Sequence, residues 1–149
     1  MTRTVLTQDP RTAELAAQMR PLVHGLYDLV RRHSPKLGTT TLTQNSVLSV
    51  LVTDGPQRMS VLAEREGVRL PTMTNVVGRL ERAGYVTRAS DPDDRRVVMV
   101  SATPQARRDV ARVRKAREVF LQERLARLSA KDQELISRAV PALERLLDQ

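Results

Sequence analysis

The chain has 149 residues, about one domain by the usual relation of length to domain size, and its 25 Lys and Arg against 17 Asp and Glu leave a formal net charge of +8. No cysteine is present, which excludes a disulfide framework, a Cys-based metal site and thiol sensing of oxidants. The charge excess is the footprint of a polyanion binder. The longest apolar stretches, such as 47–52, are too short to span a bilayer and 1–15 lacks the apolar core of a signal peptide, so a cytoplasmic location with no membrane partner is expected.

Periodicity predicts a first helix over Arg11 to His33, with Leu15, Met19, Leu22, Val23, Leu26, Leu29 and Val30 at spacings of three and four, ended by Pro35 and Gly38. Thr43 is the expected N-cap of a second helix, more buried than amphipathic, that carries Val47, Leu48, Val50 and Leu51 and stops at Gly55-Pro56. A short helix over Ser60 to Glu66, capped by Ser60, follows. Gly67 permits a sharp turn, and a longer helix runs from Pro71, suited to the first helical position, to Ala83. That is the grammar of a helix-turn-helix.

Gly84 closes that helix, and two β-branched runs, 85–89 and 97–101, flank the charged turn 90–96, which predicts a β-hairpin with a basic tip. Thr103-Pro104 reads as N-cap and first residue of a helix to about Leu128, whose eight Arg and Lys against three acids between Pro104 and Arg127 make a basic face, read first as solvated surface. Ser129 and Asp132 resemble a capping box opening a last helix with an apolar stripe from Leu135 to Leu147, which Pro141 should kink. One domain is read over 1–149, mostly α with a small β-hairpin, and no repeat or linker divides it.

Placed at 100° per residue, the helix from Pro71 puts Met73, Val76, Val77 and Leu80 on one side and Pro71, Thr74, Asn75, Gly78 and Arg82 on the other, with Thr72 and Arg79 on the flank. The polar side has hydrogen-bonding groups and arginines without an acid. Such a face suits a major groove, where Asn reads adenine, Arg reads guanine, and Thr meets a thymine methyl or a phosphate. Gly78 costs about 1 kcal/mol against alanine inside a helix, and close backbone approach to DNA is one explanation for it. Arg95 and Arg96 in the hairpin turn suit a narrow minor groove, with the Asp94 carboxylate near enough in sequence to fix a guanidinium. A reading helix with a basic hairpin beside it makes a winged helix, whose partner is double-stranded DNA.

The run 91–103, with Asp94 and Arg96 in the positions of a D-x-R pattern followed by a strand, and the run 78–88, which ends at Arg88, resemble the MarR family of transcriptional regulators. Ala102 and Ala106 depart from the family's usual Leu and Gly, positions that bear on helix packing. The resemblance spans nearly the whole chain. It implies a winged helix-turn-helix over about 40–103, dimerisation helices over about 10–34 and 104–149, a homodimer on a pseudo-palindromic operator, most often as a repressor, and a cleft for a small aromatic or phenolic ligand. It also implies that Arg96 enters the minor groove. The DNA-contacting set expected from residues and resemblance together is Pro71, Thr72, Thr74, Asn75, Arg79, Arg82, Arg88, Asp94, Arg95 and Arg96.

Other chemistries are weakly supported. His24 and His33, nine apart with no Cys, do not make a metal site, and no metal or cofactor is expected. Tyr27 and Phe120 are expected in packing, since aromatics are so few. Asp91, Asp93 and Asp94 fit turn formation and arginine pairing better than catalysis, and without a GxSxG, P-loop or GxGxxG sequence no enzymatic activity is expected. The alternative to a sequence-specific regulator is a basic architectural protein that binds any duplex.

Overall fold

Asp9 opens the first helix of the computed structural model, which describes residues 9–35, 37–91, 94 and 97–147. Its carboxylate accepts the Arg11 N–H at 3.1 Å, and Pro10 fills the first helical position of α1 (Pro10–Arg32), where a missing N–H is harmless. The second cap lies two residues before the expected one. Thr41, not Thr43, caps α2 (Leu42–Thr53), because Gln44 stands three residues on and its Oε1 accepts the Thr41 N–H at 2.7 Å while Thr41 Oγ1 accepts the Gln44 N–H.

A two-residue strand that the sequence does not suggest, β1 (Gln57–Arg58), precedes α3 (Met59–Arg65). Ser60 therefore lies inside α3, and Arg58 occupies the cap position without a side-chain bond. Gly67, at φ 62°, makes the turn to α4 (Leu70–Arg82), in which Pro71 is the second helical residue, and Gly84 at φ 75° ends it. The strands β2 (Val86–Ser90) and β3 (Val98–Ala102) pair antiparallel with Val86 opposite Ala102 and Ser90 opposite Val98, and β1 adds to the other side of β3 in the order β1-β3-β2. Thr103 caps α5 (Pro104–Leu125) through the Ala106 N–H at 3.2 Å, and Ser129 accepts the Asp132 N–H at 3.1 Å before α6 (Ala130–Leu147). The assigned helix continues through Pro141.

Two compact units result, one of Met1–Ser34 with Val119–Gln149 and one of Pro35–Glu118. The second holds the core. Val47, Leu48 and Leu51 of α2, Leu62 of α3, and Met73, Val77 and Leu80 of α4 are sealed together with Val86 and Val100 of the sheet and Ala106, Val110 and Val113 of α5. Tyr85 is buried there as well. The first unit has a different character. Neither α1 nor α6 buries a single residue, and Leu22, Leu26, Leu135 and Leu146 are each more than half exposed. Phe120 packs as expected, stacked on His33 with ring centroids 4.4 Å apart and with Arg124 over its ring, whereas Tyr27 is exposed.

Candidate nucleic-acid interface

The apolar side of α4 is fixed by burial. Met73, Val77 and Leu80 are fully buried, so the opposite side must face solvent. Pro71, Thr72, Thr74, Asn75, Arg79 and Arg82 are all exposed there, as the helical spacing predicts. Asn75 and Arg79 make no side-chain hydrogen bond or ion pair with a described residue, so an amide and a guanidinium are free to meet a ligand. Thr74 Oγ1 donates to Leu70 O at 2.9 Å, which commits its hydrogen and leaves both lone pairs able to accept. Arg82 Nε donates to Gly78 O at 3.3 Å, and the rest of its fork is uncommitted. Arg69, at the cap position of α4, is a further exposed cation that the periodic pattern did not select because it lies outside the helix.

Arg79 and Arg82 also line a cleft of about 270 Å³, together with Thr39, Thr40, Thr41 and Gln44. No carboxylate-bearing residue lines it.

Arg88 stands apart from the other expected contacts. It is only 28% exposed, its Nη2 donates to Thr74 O at 3.3 Å, and its Nε lies 3.1 Å from Glu81 Oε2. That Nε is sealed from solvent and its N–H does not point along the line to the carboxylate, so the contact is a charge pair more than a hydrogen bond. The same arginine accounts for Gly78. A Cβ there would stand 3.2 Å from Arg88 Nη2, so the glycine makes room for a side chain of the protein itself.

At the hairpin, the Asp91 N–H donates to Val97 O and the Val97 N–H to Asp94 O, both at 2.9 Å, which closes the turn between the strands. Asp94 is exposed, and the expected contacts Arg95 and Arg96 lie outside the described residues. Asp91 is buried and receives Arg58 Nη2 from β1 at 3.4 Å, an arginine partner that no local pattern predicts. Part of the basic run of α5 is paired within the protein: Arg112 with Asp109, Lys115 with Glu118, and Arg114 donates to Ser49 and Thr53 of α2. No described helix is long and apolar enough to cross a membrane, and no cluster of three or more metal-ligating side chains occurs among the described residues.

Residues 40–98, the segment that holds α2 to the start of β3, match the model of the MarR family. An HTH-type transcriptional regulator of Mycobacterium bovis is 34% identical over 137 residues, covering 92% of this chain and 95% of the relative, and one of Mycobacterium leprae is 33% identical over the same length. Among solved structures, a transcriptional regulator of Pseudomonas aeruginosa is similar with TM-score 0.81 and 28% identity over 93% of this chain and 97% of its own. FabT of Streptococcus pneumoniae in complex with DNA shares the fold at TM-score 0.65 and 19% identity, over 93% of this chain and 96% of that one. With the exposed Asn75, Arg79 and Arg82 on the second helix of a helix-turn-helix, a three-stranded sheet beside it and relatives along nearly its whole length, the chain belongs to the MarR family of winged helix-turn-helix transcriptional regulators.

Proposed function

We propose that the protein is a homodimeric, sequence-specific repressor in which α4 enters the major groove of each operator half-site and the segment between β2 and β3 follows the backbone into the adjacent minor groove. The observation that carries this reading is the exposed face of α4, where Asn75 and Arg79 are unpartnered beside Thr74 and Arg82. Asn supplies a bidentate pair to adenine, and the arginines supply guanine or phosphate contacts. Arg95 and Arg96 are assigned to the minor groove by their sequence position in the basic turn. Operator occupancy by two α4 helices covers about two helical turns of DNA, which blocks a promoter directly. Release by a small aromatic compound, implied by the family resemblance, would be read as loss of operator binding on addition of phenolic compounds.

The dimer is proposed from the unburied apolar faces of α1 and α6, since stripes of this extent are costly to leave in water and a second copy offers a matching surface. Sedimentation of a Leu26→Glu, Leu143→Glu variant should give a monomer, and a variant that stayed dimeric would remove this part of the reading. The DNA assignment is tested by titrating parent and Arg96→Ala with operator and random duplex at several salt concentrations. Loss of one backbone or minor-groove cation should weaken both duplexes and reduce the salt slope by about one unit. Unchanged affinity and slope would exclude Arg96 as a contact.

A further inference from the structure

We propose that Arg88 is a positioning residue that sets the rotation of the reading helix relative to the wing, and that its charge does not serve as a DNA contact. This rests on the assignment of α4 to the major groove. Thr74, Gly78 and Glu81 are spaced four and three residues apart, so they form one stripe along α4, about 100° around the helix from the line of Asn75, Arg79 and Arg82. Arg88 reaches this stripe from β2, where it pairs across the sheet with Val100, a fully buried residue. Its backbone is thus held by the sheet, while its guanidinium touches both ends of the stripe: Thr74 O at 3.3 Å and Glu81 Oε2 at 3.1 Å.

Gly78, between those two contacts, opens the lane. Any Cβ would crowd Nη2 at 3.2 Å, and the absence of a side chain there also leaves the Thr74 carbonyl accessible for a second bond beyond its helical one. Glu81 is the lone acid of α4, an unfavourable charge on a helix that approaches phosphates, and its pairing with Arg88 gives it a use. A guanidinium can donate to the Thr74 carbonyl through Nη2 while its charge lies against Glu81, about two turns further along α4, a geometry that the compact ammonium of a lysine does not reproduce. A rotation of α4 that moved Asn75 off its base edge would have to break the contact to Thr74, to Glu81, or to both.

The test uses the full-length protein with its selected operator and a random duplex. Glu81→Gln removes a negative charge near DNA, so electrostatics alone would tighten binding to both duplexes. A positioning role predicts the reverse for the operator: about fivefold weaker binding, the range of a partly exposed ion pair, with random duplex within about twofold of the parent and the salt slope unchanged. Arg88→Lys, which keeps the charge, should lose operator affinity in the same way with its slope intact, and the melting temperatures should stay within about 4 °C of the parent. Glu81→Gln binding the operator as well as or better than the parent, Arg88→Lys binding as the parent does, or Arg88→Met flattening the slope by about one unit on both duplexes would each overturn the proposal. Failure of the groove assignment itself looks different, because the parent would then not discriminate operator from random DNA before any substitution.

Discussion

Arg58 and Asp91, 33 residues apart in sequence, meet at the base of the wing with Nη2 3.4 Å from Oδ2 and with the Asp91 side chain only 10% exposed. The contact joins β1, at the entrance to α3, to the end of β2, so it ties the start of the helix-turn-helix to the root of the hairpin. Arg58 itself is 56% exposed, and solvent weakens the pair accordingly. Asp91→Asn keeps the shape and removes the charge. It should lower unfolding stability by about 1 kcal/mol, measured as a shift of the urea midpoint with unchanged slope, and the loss should shrink at high salt.

Asn75→Ala should relax specificity rather than abolish binding. A lost bidentate base contact costs about 1–3 kcal/mol and should appear at one base pair per half-site, with affinity for random duplex barely changed. Competition binding with operators substituted one base pair at a time checks this. Equal weakening on every sequence would mean that Asn75 touches backbone.

Gly78→Ala should separate stability from recognition. Alanine favours a helix by about 1 kcal/mol over glycine, yet its Cβ must push Arg88 Nη2 away from 3.2 Å, which lengthens the bond to Thr74 O. Thermal unfolding should therefore show no loss of stability while the ratio of operator to random affinity falls. If Gly78 instead served close approach of backbone to DNA, random duplex would lose affinity as well.

Asp28 supplies a pH dependence in the other unit. The hydrogen bond from Arg31 chiefly holds its carboxyl below the usual carboxylate range, against a smaller opposing effect of desolvation, and the charges of Arg31, His24 and Arg32 add to the lowering. A lowered folded-state pKa contributes stability that is fully present above the unfolded value of about 4 and is lost as pH falls through the folded value. Asp28→Asn should flatten that acid limb in urea midpoints measured from pH 6 to pH 2. The two proteins should converge at the acid end.

The helices and the reading face were legible because both are local. Burial of Met73, Val77 and Leu80 and exposure of Thr74, Asn75 and Arg82 follow from 3.6 residues per turn alone. Caps were less legible: in 39–43 four threonines compete, and the choice of Thr41 depends on the reach of Gln44. The strand β1 has two polar residues and exists only because Val100 and Met99 offer an edge to pair with. Arg88 read as one more cation of the hairpin, since nothing near it in sequence announces Thr74 and Glu81 as its partners. The neighbour of Gly78 was not legible for the same reason: the Arg88 Nη2 atom that a Cβ there would meet belongs to a strand residue ten positions away.

Two copies of α4, related by a two-fold axis, are proposed to read DNA sequence. Selection of bound duplexes from a random pool by the full-length protein tests this most directly. The expected result is an inverted repeat with half-site centres about 10 base pairs apart, and an A·T preference flanking the half-sites where the wing meets the minor groove. Recovery of unenriched sequence at every position would show a basic protein that coats DNA, and a single unrepeated half-site would contradict the two-fold arrangement.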